Sequence, residues 1–435
     1  MRRFTFRSSS SGDPTTAGES HSGRIRPAND SPYTREQFLK VLGLEFDPFQ
    51  LPVSEQELAF TNRPQSIGDN RSLQYFVPPT QLSIGGDSLL QALRQTGLGL
   101  IYGEYGMGKT SLRLAVEARC RREPDGTLVT SYLFGPSARR GMSFAEHRRL
   151  LAKEMAIDAF VQILEQFQPG TTALTPGRVR AMASLITAGG PHLKRLATRI
   201  AYDPVLEDGD GLEVYWHFVK RFAVRHVDPH DKLRELLKQS LEVREAPGNT
   251  FTNDWNRCVD AVKSWGFDRI FVLVDGIDNR QSSPEQMLAL LMPLLRKVPT
   301  LAEQSISLKL FLPLVLKESL DQFQSNQPEQ FDDIHVFGVV LGWNREALRR
   351  LWEARFRAGG SRRVGLDDLA SKDFDQSLDE LIFNAAQGSP RRLLQLINTL
   401  IDVYVSRRYL PGLFEELITP DDWEQTLARS NFLSI

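Results

Sequence analysis

The sequence predicts an α/β fold, a mostly parallel sheet flanked by helices, with an all-helical region at its C-terminal end. Three observations predict it. The apolar run Leu98-Gly99-Leu100-Ile101-Tyr102 leads into a glycine-rich loop that opens a helix. A second run, Arg269-Ile270-Phe271-Val272-Leu273-Val274-Asp275, is continuous in apolar and β-branched residues and ends on an acid, the pattern of a strand buried on both faces. Between and beyond these runs, strand-like and helix-like segments alternate, as in sheets whose parallel strands are joined by helical crossovers.

Taken in chain order, residues 1–31 are rich in Ser, Gly, Pro and Arg and poor in large apolar side chains. They predict a disordered tail rather than a targeting segment, because no amphipathic helix accompanies Arg2, Arg3 and Arg7. Arg35 to Leu42 reads as a short helix, followed by the apolar and aromatic turn Gly43 to Phe49. The motif Leu73-Gln74-Tyr75-Phe76-Val77-Pro78-Pro79 precedes a helix from Ser88 to Gln95. After the first strand and its loop, a helix starts at Lys109, a strand spans Leu128 to Phe134, and a long helix spans Ser143 to Phe167 with apolar positions three and four apart.

Residues 169–250 are broken by Gly170, by Gly189-Gly190-Pro191 and by Asp208-Gly209-Asp210-Gly211, and predict a helical insertion within the core. Its aromatics Tyr215, Trp216, Phe218 and Phe222 read as a buried helix face, with a partner surface as the other reading. A helix from Asn253 to Trp265, stopped by Gly266, precedes the acid-tipped strand. A helix from Pro284 to Arg296 and strands over Leu308 to Val315 and His335 to Leu341 complete the core. From Asn344 onward the pattern is helical: Arg345 to Ala358, Phe374 to Ala386, Pro390 to Arg407 and Pro420 to Ala428. Thr419, Pro420, Asp421 and Asp422 form an N-cap, a first-turn proline and two first-turn acids. The expected division is therefore a tail at 1–31, a core at 32–343 with an insertion at about 169–250, and a helical lid at 344–435.

Composition bounds the function. The 435 residues are 41% hydrophobic and 25% charged, enough apolar content for a real core, and the formal net charge of −1 gives no whole-chain attraction to nucleic acid or anionic membrane. Cys120 and Cys258 lie far apart, which excludes a disulfide framework and metal-type spacing and suits a reducing, cytoplasmic setting. The most apolar windows, such as Ile306 to Leu316 with its Lys309, are too short for a membrane span.

The chemistry lies in Gly103-Glu104-Tyr105-Gly106-Met107-Gly108-Lys109-Thr110, which satisfies G-x-x-x-x-G-K-[ST]. In that setting, glycines let successive N–H groups turn around phosphate oxygens and the helix N-terminus adds favourable partial charge. The expected ligand is a purine nucleoside triphosphate, ATP, with Mg²⁺. Residues 103–110 and Ser111 form the binding set, Lys109 reaches the β- and γ-phosphates, and Thr110 ligates the metal. Asp275, at the end of a strand neighbouring the loop, is the second metal candidate. Many ATPases of this kind place a glutamate directly after that aspartate to orient the attacking water; here the position is Gly276. Asp278, with Asn279 beside it, is the nearest acid, and catalytic and structural readings of it stand level. The aromatics before the first strand read as packing residues, with contact to the base as the alternative.

With these residues the chain resembles the AAA+ and STAND group of P-loop ATPases, distantly the origin-recognition type. The resemblance implies a P-loop NTPase sheet and a helical lid. Its third motif is Gly388-Ser389-Pro390-Arg391-Arg392-Leu393-Leu394, similar to the sensor-2 region of AAA+ lids. That likeness implies that Arg391, with Arg392 as its rival, touches the γ-phosphate and couples lid position to nucleotide state. Two features depart from the pattern. The expected sensor-1 strand, Leu308 to Pro313, has no Asn, Ser or Thr at its tip, and Arg355 is only a candidate arginine finger, a surface helix charge being the other reading.

The expected function is a regulatory ATPase, slow in turnover, with Lys109, Asp275, Asp278 and Arg391 as its catalytic set. Lid closure on ATP binding would drive self-association or binding of a protein partner, and hydrolysis to ADP would reset it. In bacteria the resemblance implies signalling or defence. The alternative is a nucleic-acid-associated ATPase, supported only by Arg139-Arg140, Arg148-Arg149, Arg362-Arg363 and Arg391-Arg392. A non-hydrolysing module, a small-molecule kinase and an ABC-type ATPase are disfavoured.

Overall fold

The structure is a computed structural model that describes residues 34–49, 76–79, 86–134, 141–203, 212, 216, 219–222, 224–227, 229–243, 251–279, 283–363, 365–407 and 417–432. The expectations for the tail, for Leu73 to Tyr75, for Arg139-Arg140, for Asp208 to Gly211 and for Tyr215 and Phe218 lie outside the described residues.

Five strands form one parallel sheet: β1 (Leu98–Gly103), β2 (Thr127–Leu133), β3 (Arg269–Asp275), β4 (Ile306–Pro313) and β5 (Val336–Val340), in the order β2-β3-β4-β1-β5. The expected α/β class is thus the class observed. The acid-tipped strand, however, is not the neighbour of the loop strand: β4 lies between β1 and β3. Pairing order is non-local and leaves no trace in hydrophobic periodicity, which reports only that each strand is buried.

Helices cover both faces, which is why β1 and β3 read as near-continuous apolar runs and β4 does so apart from the buried Ser307 and Lys309. One face, carrying Ile101, Val129, Phe271, Leu273, Phe311 and Val339, packs under α2 (Gly86–Leu93) and α3 (Lys109–Arg122). The other carries Leu100, Tyr102, Ile270, Val272, Val274, Leu308 and Leu310. It shares a single core with α4 (Phe144–Gln166), α5 (Pro176–Tyr202), α6 (Asp231–Glu242), α7 (Phe251–Ser264) and α8 (Pro284–Leu295). The helices inserted between β2 and β3 are therefore continuous with the sheet's own core, and Trp216 and Phe222 are buried as a packed face requires. The expected turn at Gly189-Gly190-Pro191 is instead a kink inside α5, with Gly190 at φ 80° and Pro191 opening the second half. The strand expected to end at Val315 ends at Pro313. The short helical turn Leu314–Leu316 takes the place of its last two residues and leads into α10 (Lys317–Asn326); α9 (Val298–Glu303) precedes β4.

The C-terminal helices α11 (Arg345–Ala358), α12 (Leu378–Ala386), α13 (Pro390–Arg407) and α14 (Pro420–Phe432) have a separate core of Leu348, Trp352, Phe356, Ile382, Leu396, Ile397, Tyr404 and neighbours. The N-terminal helix α1 (Arg35–Val41) also belongs to that core, through Phe38, Leu39, Leu42, Leu44 and Phe49. Arg35 secures it, pairing with Asp47 at 2.6 Å and reaching Asn398 and Asp402 on α13. The start of α14 has the reciprocal Thr419–Asp422 cap that its sequence signalled.

Lys309 is an amine inside the sheet, nearly devoid of solvent, donating to the carbonyls of Gln95 and Gly97 below β1. Burial pulls its pKa down from 10.5 to about 8. Below pH 8 the cost of burying the charge is fully present. Between about pH 8 and 10.5 the folded chain holds fewer protons than the unfolded one, so stability rises with pH. The stability of the wild type relative to Lys309→Met is expected to rise by about 3 kcal/mol from pH 7 to pH 10.5. Chemical denaturation of both at four pH values checks it, and parallel profiles would exclude it.

Candidate phosphate-binding site

The site gathers at the carboxyl end of the sheet, where β1 stops at Gly103 and α3 starts at Lys109. Gly108 sits at the N-cap of α3 with φ 84°, a left-handed conformation that a side chain resists. Helix α3 thus begins without a side-chain cap, its first N–H groups left to the loop.

Lys109 is buried and curls back over the loop. Its Nζ donates to the carbonyls of Gly103 at 2.9 Å and Glu104 at 3.1 Å, and pairs with Asp278 Oδ2 at 2.8 Å. The Thr110 hydroxyl, in the first turn of α3, donates to Asp275 Oδ2 at 2.9 Å, so the two metal candidates meet although β4 separates β3 from β1. The Gly276 N–H donates to Asp275 Oδ1 at 2.8 Å. Gly276 itself has φ 82°, which explains why a glutamate does not stand there. The chain turns sharply off β3 into the short turn Ile277–Asn279, and that turn carries Asp278 to Lys109.

Thr110 Oγ1 and the Asp275 carboxylate are hard oxygen donors in contact, a fit for Mg²⁺ provided that phosphate and water oxygens complete its octahedron. One cation already stands beside that carboxylate. Arg113 Nε donates to Asp275 Oδ2 at 3.0 Å, and its Nη1 reaches both Ser131 Oγ at 2.9 Å and Glu117 at 3.4 Å. Glu117 accepts from Arg121 at 3.1 Å, and Arg121 binds Glu165 of α4 at 2.6 and 3.0 Å and the Phe222 carbonyl at 2.8 Å. A buried line of alternating charges thus runs from Asp275 along α3 to the insertion. The sequence reading missed it, although Lys109, Arg113, Glu117 and Arg121 recur every four residues, one stripe of a helix.

Residues at the start of α13 touch the loop. The Arg391 guanidinium lies over the ring of Tyr105, 4.0 Å from its centroid, and Tyr105 is otherwise exposed. A Cβ on Gly106 would come within 3.0 Å of Arg391 Cβ and 3.3 Å of Ser389 Oγ, so the lid turn and the loop touch. Arg392 instead reaches Gln387. A second residue missed from sequence is Trp343, whose indole N–H donates to the Met107 carbonyl at 3.0 Å.

Other candidates fall elsewhere. Arg355 is neither a surface charge nor near the loop: it is buried among the lid helices and donates to the Pro48 carbonyl. The tip of β4 brings Leu312 and Pro313 beside Tyr102 and Gly103, and neither supplies a polar side chain. Phe76, in the motif Leu73 to Pro79, is partly buried against the core under α2 and α3. Cys120 and Cys258 are buried and free, their thiols pushed up to about 12 by burial. No helix among the described residues is long and apolar enough to cross a membrane.

No family model and no curated protein matches the chain. Among solved structures it is similar to the Aeropyrum pernix ORC2 protein in its ADPNP-ADP complexes, at 11% identity over 84% of this chain and 73% of that one, with a TM-score of 0.39. The ADP form of the same protein gives 12% identity over 83% and 72%, with a TM-score of 0.35. At these values the likeness carries no argument about the chemistry, which rests on the geometry of the residues.

Proposed function

We propose that this chain is a Mg²⁺-dependent ATP-binding switch of the AAA+ and STAND type that hydrolyses ATP slowly. The observation that carries the reading is the convergence of Lys109, Thr110, Asp275 and Asp278 within hydrogen-bonding distance behind a glycine-rich loop. Lys109 would neutralise the β- and γ-phosphates, and residues 103–111 would wrap them with backbone N–H groups. Thr110 and Asp275 would hold Mg²⁺, which supplies charge neutralisation when bound.

Phosphate oxygens compete with Asp278 for the Lys109 ammonium. Their arrival would release the Asp278 carboxylate to orient a water, the role an adjacent glutamate fills in faster enzymes. Arg391, carried on the lid against Tyr105, would meet the γ-phosphate and report its presence as lid position. Lid closure would then present a surface for self-association or for a protein partner, and ADP would reopen it. By packing, the proposed units are an α/β core with its helical insertion up to residue 343 and a lid from residue 344 that also holds residues 35–49. The described arginine pairs lie on separate elements: Arg148-Arg149 on α4, Arg362-Arg363 after α11 and Arg391-Arg392 on α13.

Phosphate release tests the proposal. The wild type is expected to release phosphate from ATP only with Mg²⁺, and Asp278→Asn to bind ATP while releasing phosphate about 100-fold more slowly. Equal rates in the two would remove Asp278 from the chemistry. Wild type that binds ATP without any turnover would remove hydrolysis, and wild type that binds none would end the reading.

A further inference from the structure

Trp343 occupies the junction of the core and the lid, and both sides hold it rigidly. The ladder between β5 and β1 extends one residue past the strand, with the Leu341 N–H donating to the Tyr102 carbonyl at 2.7 Å. One residue after Trp343, Asn344 caps α11, its side-chain oxygen accepting from the Ala347 N–H at 2.8 Å. The backbone of Trp343 is therefore pinned between a strand and a helix cap. Its indole extends to the glycine-rich loop, with the ζ2 carbon 3.6 Å from where a Cβ on Gly108 would lie. Its carbonyl oxygen faces the lid turn, 3.2 Å from where a Cβ on Gly388 would lie. The ring itself is partly buried against the lid core.

The indole hydrogen bond has a consequence for the loop. A trans peptide group points its carbonyl and its N–H in opposite directions. With the Met107 carbonyl held at 3.0 Å by the indole, the Gly108 N–H must point away from Trp343. In a loop of glycines this peptide would otherwise rotate readily, and rotation would swap an N–H for a carbonyl oxygen facing the ligand.

We infer that Trp343 is a positioning residue for phosphate: it fixes the Met107–Gly108 peptide so that an N–H, not a carbonyl, faces the β-phosphate of the nucleotide, and it ties that peptide to the lid turn at Gly388. This rests on the nucleotide-binding reading above and deepens it. The same contact makes Trp343 a reporter, because a phosphate drawn onto the Gly108 N–H polarises the peptide whose carbonyl the indole binds.

The test uses the full chain and Trp343→Phe, which keeps an aromatic ring and removes the N–H donor. Titration calorimetry with ATP, ADP and AMP should show ATP and ADP binding weakened roughly 3- to 10-fold, the loss of one hydrogen bond, and AMP binding unchanged because it lacks the β-phosphate. Tryptophan emission of the wild type should change on ADP binding, and the change should vanish in the variant although five other tryptophans remain. Melting temperature should stay within a few degrees. A merely structural Trp343 would weaken AMP and ADP alike, or neither, and either result overturns the inference while ATP binding by the wild type stands. Wild type that binds no nucleotide overturns both this inference and the reading beneath it.

Discussion

Replacing Lys109 with alanine is expected to weaken ATP binding roughly 100-fold and to abolish phosphate release, while the chain remains folded. The magnitude follows from what the ammonium does. It is the cation that the structure brings closest to the loop carbonyls of Gly103 and Glu104, and charge-assisted contacts to phosphate are worth about 1.5–3 kcal/mol each. Folding should survive because the partner left behind, Asp278, is partly exposed and can be rehydrated. Calorimetric titration of both proteins with ATP and Mg²⁺ measures the effect. Dissociation constants within about threefold of each other would mean that the loop does not cradle phosphate.

The second large effect concerns stability. Arg113→Met should lower the melting temperature by about 3–6 °C, the equivalent of losing about 3–5 kcal/mol. Arg113 is buried between Asp275 and Glu117; among the described residues, the substitution leaves Asp275 without a cationic partner and Glu117 with Arg121 alone, so the interior carries excess negative charge. The double variant Arg113→Met with Glu117→Gln should recover part of the loss, because the excess buried negative charge falls while Arg121 keeps Glu165. A single variant melting within 2 °C of the wild type would show that the arginine contributes nothing that water or a rearranged partner cannot replace.

What could be read from the sequence was whatever is local. The loop and its helix occupy consecutive residues, and the β3 run carries its own ending at Asp275, so both elements were legible. The end of β3 was legible only as an anomaly. Gly276 stood out as a missing glutamate, but that it turns the chain at positive φ, and so delivers Asp278 to Lys109, depends on backbone geometry that composition does not encode. Strand order was not legible, since the position of β4 between β1 and β3 rests on contacts between segments far apart in the chain. The packing of α1 into the lid spans more than three hundred residues and leaves no periodic signal. Arg355 misled for a related reason: its neighbours on α11 alternate with charges, and its burial comes from Pro48, a partner nearly as distant. Trp343 followed a strand and preceded a helix cap, and nothing in its neighbours announced the loop it touches.

The line of charges from Asp275 through Arg113, Glu117 and Arg121 to Glu165 constrains how such a chain can change over generations. Losing one member of a buried pair is severely destabilising, whereas exchanging both for well-packed apolar residues is close to neutral or better. The single-step intermediates are therefore the unstable ones. Descendants of this chain should carry the stripe whole or replace it in complementary pairs, and the two kinds of sequence should be separated by variants that fold too poorly to persist. Asp275 anchors one end, and because its carboxylate is also the proposed metal ligand, drift along the stripe should begin at the Glu165 end, the end away from the proposed site.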